Sequence, residues 1–204
     1  MTTKMGMFKC GALLLGVVVG CGGHERNAVS GSFQGATLSV ASSNSGTVTT
    51  PSGQWTKVWL SSGANICTAI TTHAFRSSQW LTFDIFSTAP SAAINSGGTG
   101  ATPITALGTY VVYDDSSAQA PPQAKNVVSV FYGAMDAQCV NTSDWRATSG
   151  TVTITSVSSA GIEGSFDITF PAPPDAHITG TFNSTPCTAL ADSSDGFAGM
   201  PLCN

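Results

Sequence analysis

The stretch GTVTITSVSSAGIEGSFDITF, residues 150–170, decides the fold class. Val152, Ile154 and Ser156 alternate with threonines, so they fall on one face of an extended chain, where side chains repeat every second residue. SSAG then supplies a turn. Phe166, Ile168 and Phe170 resume the alternation on the return strand, the pattern of a β-hairpin with one apolar face. Pro171, Pro173 and Pro174 end that strand, because proline has no N–H to give to a ladder. HITGTFNS (177–184) follows as a third strand beside it.

Upstream, the same grammar repeats. ATLSVA (36–41), GTVTT (46–50), QWTKVWLSS (54–62), ICTAITTHAF (66–75), QWLTFDIFS (79–87), TYVVYDD (109–115) and NVVSVFYGA (126–134) are short apolar or β-branched runs. Gly, Pro, Asn and Ser clusters separate them, and none sustains a 3.6-residue period. AQCVNTSDWRA (137–147) reads as a loop or a single turn. Eight to nine short strands predict an all-β fold: a single antiparallel β-sandwich, with a barrel as the alternative.

The N-terminus has a different character. Lys4 and Lys9 precede the uncharged run CGALLLGVVVG, residues 10–20. A membrane-crossing helix needs about 20 apolar residues, so this run is too short to span. Basic residues, a short apolar core and a small-residue end describe a secretory signal peptide. Val18-Val19-Gly20-Cys21 resembles the lipobox of bacterial lipoproteins, with valines in place of the usual Leu and small residue. That resemblance implies cleavage before Cys21 and diacylglycerol on its thiol. Several acyl chains then anchor the protein stably, at about 0.8 kcal/mol per buried CH₂. Gly22 rather than Asp after the cysteine points to the outer membrane. The expected organisation is a signal peptide over 1–20, a lipidated flexible tether over 21–34 and a β domain over 35–204. The last strands, SGTVTITSV, IEGSFDITF and HITGTFNSTPC, also resemble the closing hairpins of bacterial surface lipoproteins, with their repeated G-x-F strands. That likeness implies an all-β domain and carries no catalytic residues.

Charge excludes one class of partner. Loss of Lys4 and Lys9 from the seven basic residues leaves five, scattered, against eleven acids. No basic patch exists for nucleic acid. In an exported chain, Cys67, Cys139, Cys187 and Cys203 read as two disulfides. The expected pairs are Cys187 with Cys203, closing the terminal loop, and Cys67 with Cys139. No spacing suits zinc, and no cofactor motif is present.

Candidate chemistry is sparse. GxSxG, Ser-x-x-Lys and HExxH are all missing. Of the histidines, His24 lies in the tether, His73 in TTHAFR, and His177 two residues from Asp175, a potential Asp-His pair without an identifiable nucleophile. Asp114-Asp115 and Asp192/Asp195 could ligate calcium but read equally as turn residues. Asp84, Asp167 and Glu163 are acids within strands; a glycosidase would need two of them facing across a cleft. Trp55, Lys57 and Trp59 share one strand face, and two indoles flanking a cation would suit a carbohydrate- or protein-binding platform if exposed. The expected function is therefore a non-catalytic, lipid-anchored cell-envelope module binding carbohydrate or a surface protein. The alternative is a small extracytoplasmic hydrolase whose nucleophile is unidentified.

Overall fold

In a computed structural model, which describes residues 27–51, 53–89, 99–113, 124–171 and 176–190, the diagnostic hairpin is two ten-residue strands. These are β8 (Ser149–Ser158) and β9 (Gly161–Phe170), and β10 (Ala176–Pro186) lies antiparallel to β9. Val152, Ile154, Phe166, Ile168 and Phe170 all face inward and are buried. A bulge between Ile154 and Ser156 breaks the alternation, so Ser156 pairs with the outward Glu163 instead of following Ile154 into the core. The G-x-F repeats interlock. Gly164 pairs with Phe182 and Phe166 with Gly180, and a Cβ on Gly164 or Gly180 would fall 2.6 Å or 2.5 Å from the opposing ring.

Seven further strands precede these: β1 (Ala28–Ser30), β2 (Ser42–Thr50), β3 (Gly53–Ser61), β4 (Ser78–Thr88), β5 (Gly108–Val112), β6 (Lys125–Met135) and β7 (Asn141–Arg146). The order β10-β2-β3-β4-β6-β5-β8-β9 returns to β10, so eight strands close into a barrel rather than opening into a sandwich. Two short parallel pairings make the closure. Thr185 and Pro186 pair with Asn44 and Ser45, and Val111 and Val112 pair with Val127 and Val128. An eight-stranded barrel is just wide enough for side chains to fill it. Here Leu60, Phe83, Val130, Ile154, Phe166 and Phe182 do so.

The outward side chains of β8, β9 and β10 are mostly Thr, Ser, Asp, Glu, His and Asn, while the interior is apolar. A membrane-spanning barrel has the reverse polarity. Among the described residues no helix is long and apolar enough to cross a membrane.

Three expectations are corrected. ICTAITTHAF is not a strand: Ile66–Thr72 forms the helix α1, between Asn65 and His73 in the left-handed region. Ile66 and Ile70, one turn apart, bury against the barrel wall, and that packing overrides the weak helix propensity of β-branched residues. Residues 141–146, read as a loop or turn, form β7, an edge strand on the C-terminal half of β6. The tether does not extend to residue 34. β1 pairs with β10, and Phe33 is 2% exposed in the core.

The disulfides are also re-paired. Cys67 on α1 bonds Cys187, with Cα atoms 5.7 Å apart across a sequence separation of 120. Both expected pairs, Cys187 with Cys203 and Cys67 with Cys139, are thereby excluded. The cause is tertiary: Cys187 leads into a 3₁₀ turn (Thr188–Leu190) that packs against α1. Cys139 is in a disulfide too. Cys10, Cys21, Cys203, His24, Asp114, Asp115, Asp175, Asp192 and Asp195 lie outside the described residues.

Candidate functional site

Trp55, Lys57 and Trp59 do share one face of β3, and it points away from the barrel interior, yet it is not a binding platform. Their exposures are 2%, 3% and 1%. Trp59 is covered by Ile66, Ile70, Phe75 and Leu190, brought there by α1 and the 3₁₀ turn. Trp55 is covered by Val48, Phe86, Ala89 and Ala101. Between the two apolar patches, Lys57 meets Asp84 directly opposite on β4, with Nζ 3.0 Å from Oδ1. Trp55 Nε1 donates to the same Oδ1 at 3.2 Å. The indoles and the lysine therefore hold a second, external core. The helix that buries them was read as a strand, so nothing in the sequence placed a cover over this face.

Tyr113 stands at the edge of this cluster. Burial, with the negative charge of Asp84 adding to it and Arg146 opposing, pushes its phenol up to about 12. A raised acid binds its proton more tightly in the folded state, so the stabilisation is complete below pH 10 and is lost as pH rises from there through about 12. Burial raises Tyr132 as well. A spectrophotometric titration near 295 nm should therefore show Tyr113 ionising late. Tyr113→Phe should flatten the fall in stability across that window; an unchanged profile would refute the assignment.

The remaining ionisable candidates do not converge. His177 Nε2 lies 2.7 Å from Asp167 Oδ1 on the neighbouring strand, and the two side chains are 60% and 66% exposed. This is an Asp-His pair with Asp167 on the outer surface of the barrel; the expected partner, Asp175, lies outside the described residues. Glu163 accepts from Asn183 Nδ2 at 2.9 Å. Asp84 is tied to Lys57, so the three strand acids do not form a facing carboxylate pair. His73 is the C-cap of α1. Among the described residues no cluster of three His, Cys, Asp or Glu could hold a metal.

Among the described residues, a concave feature lies elsewhere, where β10 changes partners. Its residues 179–181 pair with β1 and its residues 185–186 with β2. Between them the wall splits into a cleft of about 360 Å³, lined by Asn27, Ser43, Asn44, Asn65, Asn183 and Thr185, with Cys67 and Thr68 of α1 on one side. The backbone N–H of Asn183 donates to Asn27 Oδ1 at 3.0 Å. Asn44 Nδ2 donates to Thr185 Oγ1 at 2.9 Å. Ser43 is 7% exposed, and its Oγ has no hydrogen-bond partner. Leaving such a buried group unpaired costs about 1–3 kcal/mol. Sequence reasoning missed this site. The one available signal was SSNSG (42–46), a strand of small polar residues with no apolar alternation, three of which are buried.

The chain matches no protein-family model, no curated protein and no solved structure.

Proposed function

We propose that this protein is a lipid-anchored component of a bacterial cell envelope, held at the outer membrane through Cys21, whose barrel is a non-catalytic binding module. One observation carries the binding reading. The split in the barrel wall is lined by uncharged hydrogen-bonding side chains, whereas Lys57, Asp84, Asp167 and Glu163 are engaged with partners of their own. A binding site presents a few convergent polar groups in a cavity of roughly 300–1,000 Å³. A hydrolase would in addition need a nucleophile beside its base, and Asp167 is the one hydrogen-bond partner of His177 among the described residues.

The anchor reading rests on the VVGC sequence and the short apolar run before it. The solid barrel interior is consistent with a ligand or partner met at the surface. Replacing Cys21 by serine should move the protein from the membrane fraction to the soluble periplasmic or culture fraction. Retention of the variant in washed membranes would overturn the anchor.

A further inference from the structure

We infer that the cleft between β1, β10 and β2 is a saccharide site, an inference that rests on the binding-module reading and names its ligand class. The argument is one of chemical matching. Asn27, Asn44 and Asn183 each spend one end of the side-chain amide on the fold. Asn27 Oδ1 accepts from the Asn183 backbone, Asn44 Nδ2 donates to Thr185, and Asn183 Nδ2 donates to Glu163. What these bonds leave over is a donor at Asn27 Nδ2 and acceptors at Asn44 Oδ1 and Asn183 Oδ1.

An anion would call for donors and positive charge, and a cation for converging carboxylates. The lining contains neither a carboxylate nor a basic side chain. A neutral ligand whose own groups both donate and accept fits this mixture, and the hydroxyls of a sugar do both. The volume of about 360 Å³ admits one or two sugar rings. A peptide fits less well. A peptide adding to the free edge of β10 between the two pairings would need the Asn183 N–H, and Asn27 already occupies it. The cleft lining contains no aromatic side chain for stacking, so recognition would be by hydrogen bonds.

The test uses the purified full-length protein and four neutral probes: cellobiose, maltose, lactose and chitobiose. Binding is read by isothermal titration calorimetry, and thermal stability is read on the same samples. At least one disaccharide should bind the wild-type protein. Asn44→Ala and Asn183→Ala should each weaken it about tenfold, because each removes an acceptor that the fold leaves free in the cleft. Thr68→Trp, on the exposed side of α1, should fill the cleft and abolish binding. Unchanged affinity in both Asn44→Ala and Asn183→Ala overturns the inference. So does the absence of binding by all four probes, or binding that survives Thr68→Trp. The Cys21→Ser fractionation is independent of each of these outcomes. Capture of a peptide in the cleft without any saccharide would retain the binding module and reject its assigned ligand.

Discussion

Replacing Phe33 by alanine is expected to destabilise the protein by about 3–5 kcal/mol, the range for a large aromatic removed from a packed core. Phe33 is not on a barrel strand. It projects from the segment after β1, fixed by a reciprocal pair of backbone hydrogen bonds with Ala36 at 2.8 and 2.9 Å. Gln34 and Gly35 turn the chain with φ of 49° and 81°. The ring enters the barrel core, stacked on Tyr132 at 4.1 Å and edge-on to Phe170 at 5.3 Å, with Trp145 at 5.9 Å. Its removal leaves a void among three rigid aromatic rings that cannot close over it. Phe33→Leu should recover a large part of the loss. Chemical denaturation is the direct measurement, and in a domain of this size the melting temperature should fall by on the order of 10 °C. A chain started at residue 35 should behave like the alanine variant or worse, because it also loses β1. A loss below about 1 kcal/mol would mean that the ring is an ordinary surface contact.

The error that placed Phe33 in a tether has a physical origin. GGHERNAVSGSFQ is Gly-rich and aperiodic, and a single aromatic side chain carries no period. Local alternation was enough for the hairpin at 149–170, where each residue's neighbour in space is its neighbour in the ladder. It was not enough where a third body decides the outcome. Ile66–Thr72 is rich in β-branched residues and reads as a strand, yet the docking of Ile66 and Ile70 beside Trp59 makes it a helix. Barrel and sandwich share the same strands; what separates them is two short parallel contacts, two residues of β10 with two of β2 and two of β5 with two of β6. No sequence period encodes those contacts. The cysteine pairing failed for the same reason, since Cys67 and Cys187 meet only after α1 and the 3₁₀ turn have folded onto the wall.

The candidate site was less legible still. Trp55, Lys57 and Trp59 were correctly placed on one face, but exposure is a property of what lies above a strand, and alternation is silent about that. The cleft is built from asparagines, serines and threonines, which are abundant throughout this chain and gain meaning only from their positions around a split in the wall. Asn183 and Asn27 are 156 residues apart in sequence and share a hydrogen bond.

The second large effect concerns Lys57 and Asp84. Replacing Lys57 alone by methionine is expected to cost about 3–5 kcal/mol, because the buried Asp84 carboxylate then loses its counter-charge. Only Trp55 Nε1 would remain to it of the partners described above. Asp84→Leu alone should cost a comparable amount by stranding the ammonium. The double variant, Lys57→Met with Asp84→Leu, replaces the pair by apolar side chains in a setting already apolar on both sides. It should therefore recover most of either single loss, since apolar replacements of buried ion pairs are often neutral or better. The double-mutant cycle thus separates two accounts of the pair. A coupling energy of several kcal/mol with a stable double variant means that each charge is tolerated because of the other. Single losses below about 1 kcal/mol that simply add would mean a solvent-screened surface pair. The side-chain exposures of 4% and 11% favour the first account. Because Lys57 sits between the patches under α1 and under Ala89 and Ala101, the single variants should also loosen α1, which forms one side of the cleft. Ligand affinity should then fall with stability in the single variants and return with it in the double one.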